Sequence, residues 1–153
     1  MSNKQLIVII SAIAAVVLLY FLPVKSSSVV KAEAPKVQSL DKKIDEALAA
    51  MEVQPMAGIK LLKEVLEEDP KNVRTLELLS EMSLRTHQHE KAVGYLERLN
   101  EVKPSWETQR QLAETYLELK DTAKARSIFV KLYETAPDSK QKESIQQIIE
   151  QLK

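Results

Sequence analysis

The sequence has no cysteine, only two glycines, only two histidines and a formal net charge of zero. Without cysteine there is no disulfide framework, no cysteine-based metal site, no thiol nucleophile and no lipidated cysteine. The compartment stays open, because a cysteine-free helical domain folds in either redox environment. Two glycines, Gly58 and Gly94, cannot build a glycine-rich phosphate loop. The 22 basic and 22 acidic residues cancel, which removes the electrostatic footprint of a nucleic-acid binder. No run alternates apolar and polar residues with a period of two, so the fold class is all-α. The two histidines, His87 and His89, stand in one short polar stretch. A His-x-His pair in a loop can bind a metal. Here no cysteine or carboxylate closes a third position, so a solvated turn is the reading. Glu67, Glu68 and Asp69 sit at the unfavourable end of a helix dipole and read as solvated surface. No catalytic constellation, cofactor or metal site is expected, and the chain is not expected to be an enzyme.

What the chain does have begins at residues 6–22, LIVIISAIAAVVLLYFL, a run without charge. Seventeen helical residues span about 26 Å, and extension to 23 or 24 approaches the roughly 30 Å hydrocarbon core of a bilayer. Ser11 can return its hydroxyl to a carbonyl one turn back, and Tyr20 suits an interface. The expectation is a five-residue tail, 1–5, and then a single transmembrane anchor over 6–23. The run is longer than the apolar stretch of a cleaved signal peptide. Lysines alone (Lys4 before it, Lys25, Lys31 and Lys36 after it) would keep the rest of the chain inside. The short tail argues instead for a signal anchor, with the domain on the outer, periplasm-type side. The outward reading is adopted. Residues 24–39 lack apolar periodicity and contain Pro35, and are expected to be a flexible linker.

From residue 40 the periodicity is helical. Pro70, Pro104 and Pro137 lie 34 and 33 residues apart. In register behind them stand Gly58, Ala92 and Ala125, then Leu62, Leu96 and Phe129, then Val65, Leu99 and Leu132. Leu79, Ser80 and Ser83 fall on Leu112, Ala113 and Tyr116. Helices are expected over about 40–52, 56–68, 73–86, 90–102, 106–120 and 122–135. Asn72 and Ser105 are the expected N-caps, the short polar side chains of Asp121-Thr122 are expected to satisfy the N–H groups that open the helix there, and Pro55 sits near a helix start, where its missing N–H is harmless. A final helix over 139–153, with Ser139 as its cap, carries the stripe Ile145, Ile148, Ile149 and Leu152. Its expected role is to cover the open end of the stack, the alternative being a two-stranded dimer seam.

A helix pair repeating at about 34 residues, with a small residue, a large residue and a closing proline at these offsets, resembles the tetratricopeptide repeat (TPR) family. Residues 106–137 carry Leu112, Ala113, Tyr116, Ala125, Phe129 and Pro137; residues 73–104 carry Leu76, Leu79, Ser80, Ala92, Leu96 and Pro104. Ser83 stands where an aromatic is usual. Gln109 stands where a large apolar residue is usual, and Trp106 is expected to cover that gap. The first repeat, about 40–70, is degenerate. The resemblance implies a short α-solenoid of about three antiparallel helix pairs, with 40–138 as repeats and 139–153 as a cap. It further implies that a protein or peptide partner binds the concave face. By register that face holds Arg74, Glu77, Glu81 and Arg85 in one repeat, and Arg110, Glu114 and Glu118 in the next. The Lys/Asn clamp with which some such domains hold a terminal carboxylate would fall at Glu77, Glu81 and Gln111, so it is missing. The functional expectation is a membrane-tethered interaction scaffold, with a self-assembling structural protein, a homo-oligomer, as the alternative.

Overall fold

The structure, a computed structural model, describes residues 29–152. The apolar run expected to be an anchor lies outside the described residues. Among those described, no helix is long and apolar enough to cross a membrane. The described elements are seven helices: α1 (Val29–Val53), α2 (Pro55–Glu68), α3 (Val73–Arg85), α4 (His89–Val102), α5 (Trp106–Glu118), α6 (Thr122–Glu134) and α7 (Ser139–Gln151). The chain divides into a unit over 1–38 and a larger one over 39–153. The expected linker needs one correction. Its residues 29–39 are helical and belong to α1. Lys31, Ala32, Glu33 and Ala34 are good helix formers, and helix propensity leaves no mark on an apolar pattern. Pro35 has no N–H to give the helix ladder, yet the helix runs through it.

The larger unit is built from neighbour-on-neighbour packing, and each helix from α3 to α6 packs on both its predecessor and its successor. Two apolar clusters run through it. The first joins Leu40, Ile44 and Ala47 of α1, Leu62, Val65 and Leu66 of α2, and Leu76 and Leu79 of α3, and reaches Leu99 of α4. The second joins Leu112, Ala113 and Tyr116 of α5, Ala125, Phe129 and Leu132 of α6 and Ile145 of α7, and takes Leu96 of α4. Leu96 and Leu99 are three residues apart on one helical stripe. Helix α4 therefore belongs to both clusters and joins one repeat to the next.

The small residues in register mark close helix crossings. A Cβ at Gly58 would fall on the Met51 side chain and 2.5 Å from the Ala47 carbonyl oxygen. Ala92 and Ala125 are fully buried. Caps stand largely where the sequence puts them. The side chains of Asn72, Ser105 and Asp121 accept from the backbone N–H of Thr75, Thr108 and Lys124, which satisfies a donor that the first turn leaves free. Pro55 opens α2. The cap of α7 is Asp138, one residue before the expected Ser139; its carboxylate accepts from Gln141 N at 2.8 Å.

The stripe of α7 packs inward. Ile145 is buried, and Ile148, Ile149 and Leu152 lie against the second cluster. The apolar face that could have formed a dimer seam thus closes the end of this chain's own stack.

Candidate functional site

The first helices of successive pairs, α1, α3 and α5, and then α7, line one side of the stack. Arg74 on α3 reaches back to α1, where it donates to Asp45 at 2.7 Å and lies 3.8 Å from Asp41. Between α3 and α5 opens a cavity of about 320 Å³. Glu77, Ser80, Glu81 and Leu84 of α3 share one helix face at three- and four-residue spacing, and they form one wall. Glu107, Thr108 and Gln111 of α5 form the other.

Most polar groups of this cavity are satisfied within the chain. Ser80 donates its hydroxyl to the Glu77 carbonyl at 2.9 Å, and the hydroxyls of Ser105 and Thr108 bond each other at 2.8 Å. Glu77 accepts from Lys103 at 3.0 Å. Glu107 accepts from Arg110 at 2.6 Å and from Gln111 at 3.3 Å. The Arg110 hydrogen bond holds the Glu107 carboxyl below the usual carboxylate range, and the same bond raises Arg110. These pairs are partly exposed, so each contributes only a fraction of a kcal/mol. Glu81 differs, since among the described residues nothing bonds its carboxylate. It projects a charge into a cavity with two further carboxylates and no basic lining residue.

A second cavity, of about 360 Å³, lies between α5 and α7. Arg110 and Glu114 face Gln141 and Ser144 across it, and Arg110 bonds Glu114 within α5. Of the seven residues expected in the groove, the structure therefore brings Glu77 and Glu81 together at one cavity and Arg110 and Glu114 at the other. Arg74 is engaged by α1. Arg85 and Glu118 are exposed final residues of α3 and α5 and line neither cavity. Gln111, the third position of the missing carboxylate clamp, lies with Glu77 and Glu81 as the register requires.

Glu107 is a groove residue that the repeat register does not single out, although it stands four residues before Gln111 and so on the same helix face. Glu68 is not merely solvated. Lys43 of α1 donates to it at 2.8 Å, a pairing between helices that no local spacing announces. Trp106 does not close the gap beside Gln109, since the two side chains line an open cavity with Lys131 and Glu134. Trp106 is half-buried against the second cluster, and its indole N–H donates to the Leu132 carbonyl at 3.3 Å. His87 and His89 lie in and just after the α3–α4 turn with ring centres 5.7 Å apart. No group of three metal-ligating side chains occurs among the described residues.

No protein-family model and no curated protein matches the chain. Solved structures do. MamA of AMB-1 is 20% identical with a TM-score of 0.57, over 65% of this chain and 56% of its own. The chain thus spans little more than half the length of that relative. The N-terminal domain of stress-induced protein-1 (STI-1) from C. elegans is 13% identical with a TM-score of 0.60, over 72% of this chain and 94% of its own. The Sgt2 TPR domain from Aspergillus fumigatus is 23% identical with a TM-score of 0.53, over 73% of this chain and 80% of its own. With the repeating helix pairs, the small residues at their crossings and these likenesses, the described chain has the fold of a tetratricopeptide-repeat domain.

Proposed function

We propose that this chain is a protein-interaction module, tethered to a membrane by residues 6–23, that holds a polar or basic segment of a partner protein along the α3–α5 face. The observation that carries the reading is the α3–α5 cavity. Of the three carboxylates that line it, Glu77 is paired with Lys103 and Glu107 with Arg110, and Glu81 alone has no partner among the described residues. A lysine or arginine brought by a partner would gain that carboxylate, and complementary charge of this kind selects partners more than it adds affinity. A terminal carboxylate would be repelled. The apolar run supports the tether. The reading takes the domain to lie on the outer, periplasm-type side. Anchoring raises the local concentration of a partner without improving any contact. Nothing in the site arranges a nucleophile, base and oxyanion donor together, so the reading includes no reaction.

The test is photo-crosslinking in native membranes, with probes at Glu81 and Glu114 and a control at the exposed Lys124. One discrete adduct of foreign mass from Glu81, absent from the control, is expected. Adducts at twice the chain mass would replace the reading with self-assembly. An absence of adducts from both probes would overturn the face as a docking site.

A further inference from the structure

A second surface lies on the other side of α3. In the repeat 106–137 the ring of Tyr116 stands between α4 and α6. Its hydroxyl donates to Glu97 of α4, and the ammonium of Lys124, on α6, lies 4.8 Å from the ring centre. One repeat earlier the positions of Tyr116, Glu97 and Lys124 hold Ser83, Lys63 and Lys91. The serine is too short to bridge the gap. A cleft of about 90 Å³ opens there, lined by Ile59, Leu79, Met82 and Tyr95, with Met56 at its edge. Met56 is 76% exposed. One repeat later the place of Ile59 is taken by Val93, which packs against the filled second cluster. No acidic side chain lines the open cleft. Among the described residues Lys91 reaches only Gln88, and Lys63 has no ion pair.

We propose that this cleft receives an aromatic side chain of a partner protein that carries an aspartate or glutamate beside it. The ring takes the volume that Tyr116 fills in the next repeat. Lys91 lies where Lys124 meets the face of that ring, a contact that favours a cation over an aromatic face. Lys63 lies where Glu97 accepts from the phenol, so the charge there is reversed and the neighbouring group it selects is an anion. The thioethers of Met56 and Met82 adapt to the shape of the entering ring. Leu79, Met82 and Ser83 of α3, with Thr86 just past its end, form this face, distinct from the face that carries Glu77 and Glu81. The inference therefore stands apart from the proposed function and does not depend on it.

The test uses the full chain with carbon-13 labelled methionine methyl groups, titrated with the peptide acetyl-Glu-Glu-Phe-Asp-Glu-amide. Saturable shifts are expected at Met56 and Met82, with Met51 as the internal control. Peptides with Ala for Phe, or Lys for the acids, should bind about tenfold more weakly or worse. Ser83→Phe fills the cleft from within and should weaken binding about tenfold without lowering the melting temperature. Lys63→Glu should weaken it similarly and leave the Glu81 crosslink unchanged. Absence of shifts, equal binding of the lysine peptide, or undiminished binding to Lys63→Glu would each overturn the proposal. If Ser83→Phe melts early, Lys63→Glu alone decides.

Discussion

The repeats 73–104 and 106–137 share a backbone plan and differ in how they finish it. Both turn from first to second helix through the same pair of hydrogen bonds. Gln88 N bonds the Ser83 carbonyl at 2.8 Å, and His87 N bonds that of Leu84 at 3.1 Å; Asp121 N bonds Tyr116 at 2.9 Å, and Lys120 N bonds Leu117 at 2.9 Å. Upon this shared turn the later repeat adds a ring, Tyr116, and a side-chain cap, Asp121. The earlier one has Ser83, and Gln88 makes no cap bond. Backbone closure thus survives the loss of side chains that complete the packing. The difference leaves a surface that can be filled from outside.

The largest effect expected from this contrast is alkaline. Burial, and then the bond to Glu97, pushes the Tyr116 phenol up to about 12. A group whose folded pKa is raised contributes stability fully below its unfolded value near 10 and loses it as pH rises through the folded value. Stability should therefore fall by about 2–3 kcal/mol between pH 10 and 12. Urea unfolding at both ends of that window checks it. Tyr116→Phe should flatten the fall; an equally steep fall in that variant would remove Tyr116 as the cause.

The small positions test the part the repeats share. Ala92→Leu and Ala125→Leu each force a larger side chain into a fully buried site and should cost about 1–3 kcal/mol. Gly94 is the control two residues from Ala92. A Cβ there meets nothing within 4 Å, so Gly94→Ala should stabilise by up to about 1 kcal/mol through helix propensity. Thermal melts that showed the same sign for Ala92→Leu and Gly94→Ala would break the register.

A cap substitution separates the repeats again. Asp121→Ala removes the acceptor for Lys124 N, at 3.1 Å, and should cost about 1 kcal/mol. Gln88→Ala removes no cap bond and should change stability by less than about 0.5 kcal/mol. Equal losses would mean that the caps do not distinguish the two turns.

The repeat was legible because its signals are local: prolines 33 and 34 residues apart, a small residue at each crossing, and Asn72, Ser105 and Asp121 at helix starts. The groove was partly legible. Glu77, Glu81 and Gln111 meet because helical register fixes their faces. The engagement of Arg74 by Asp45, and of Glu68 by Lys43, depends on which helices become neighbours and how long side chains cross between them. The cleft at Ser83 was visible only as a departure from a pattern. That Lys63 and Lys91 frame it follows from three helices meeting, which no single window contains.

The smallest effect concerns the turn itself. His87 and Lys120 occupy equivalent positions, and both have positive φ, 54° and 59°. A side chain there crowds the following carbonyl, whereas glycine does not. The two hydrogen bonds that close each turn form a helix-ending motif in which glycine is the usual residue at this position. Glycine also gains freedom in the unfolded chain, which offsets part of the relief. His87→Gly and Lys120→Gly should therefore each stabilise by about 0.5–1 kcal/mol, and by similar amounts, because this feature is common to both repeats. Chemical denaturation of the two variants checks it. A gain in one and a loss in the other would show that the difference between the repeats extends from their side chains into the backbone of the turn.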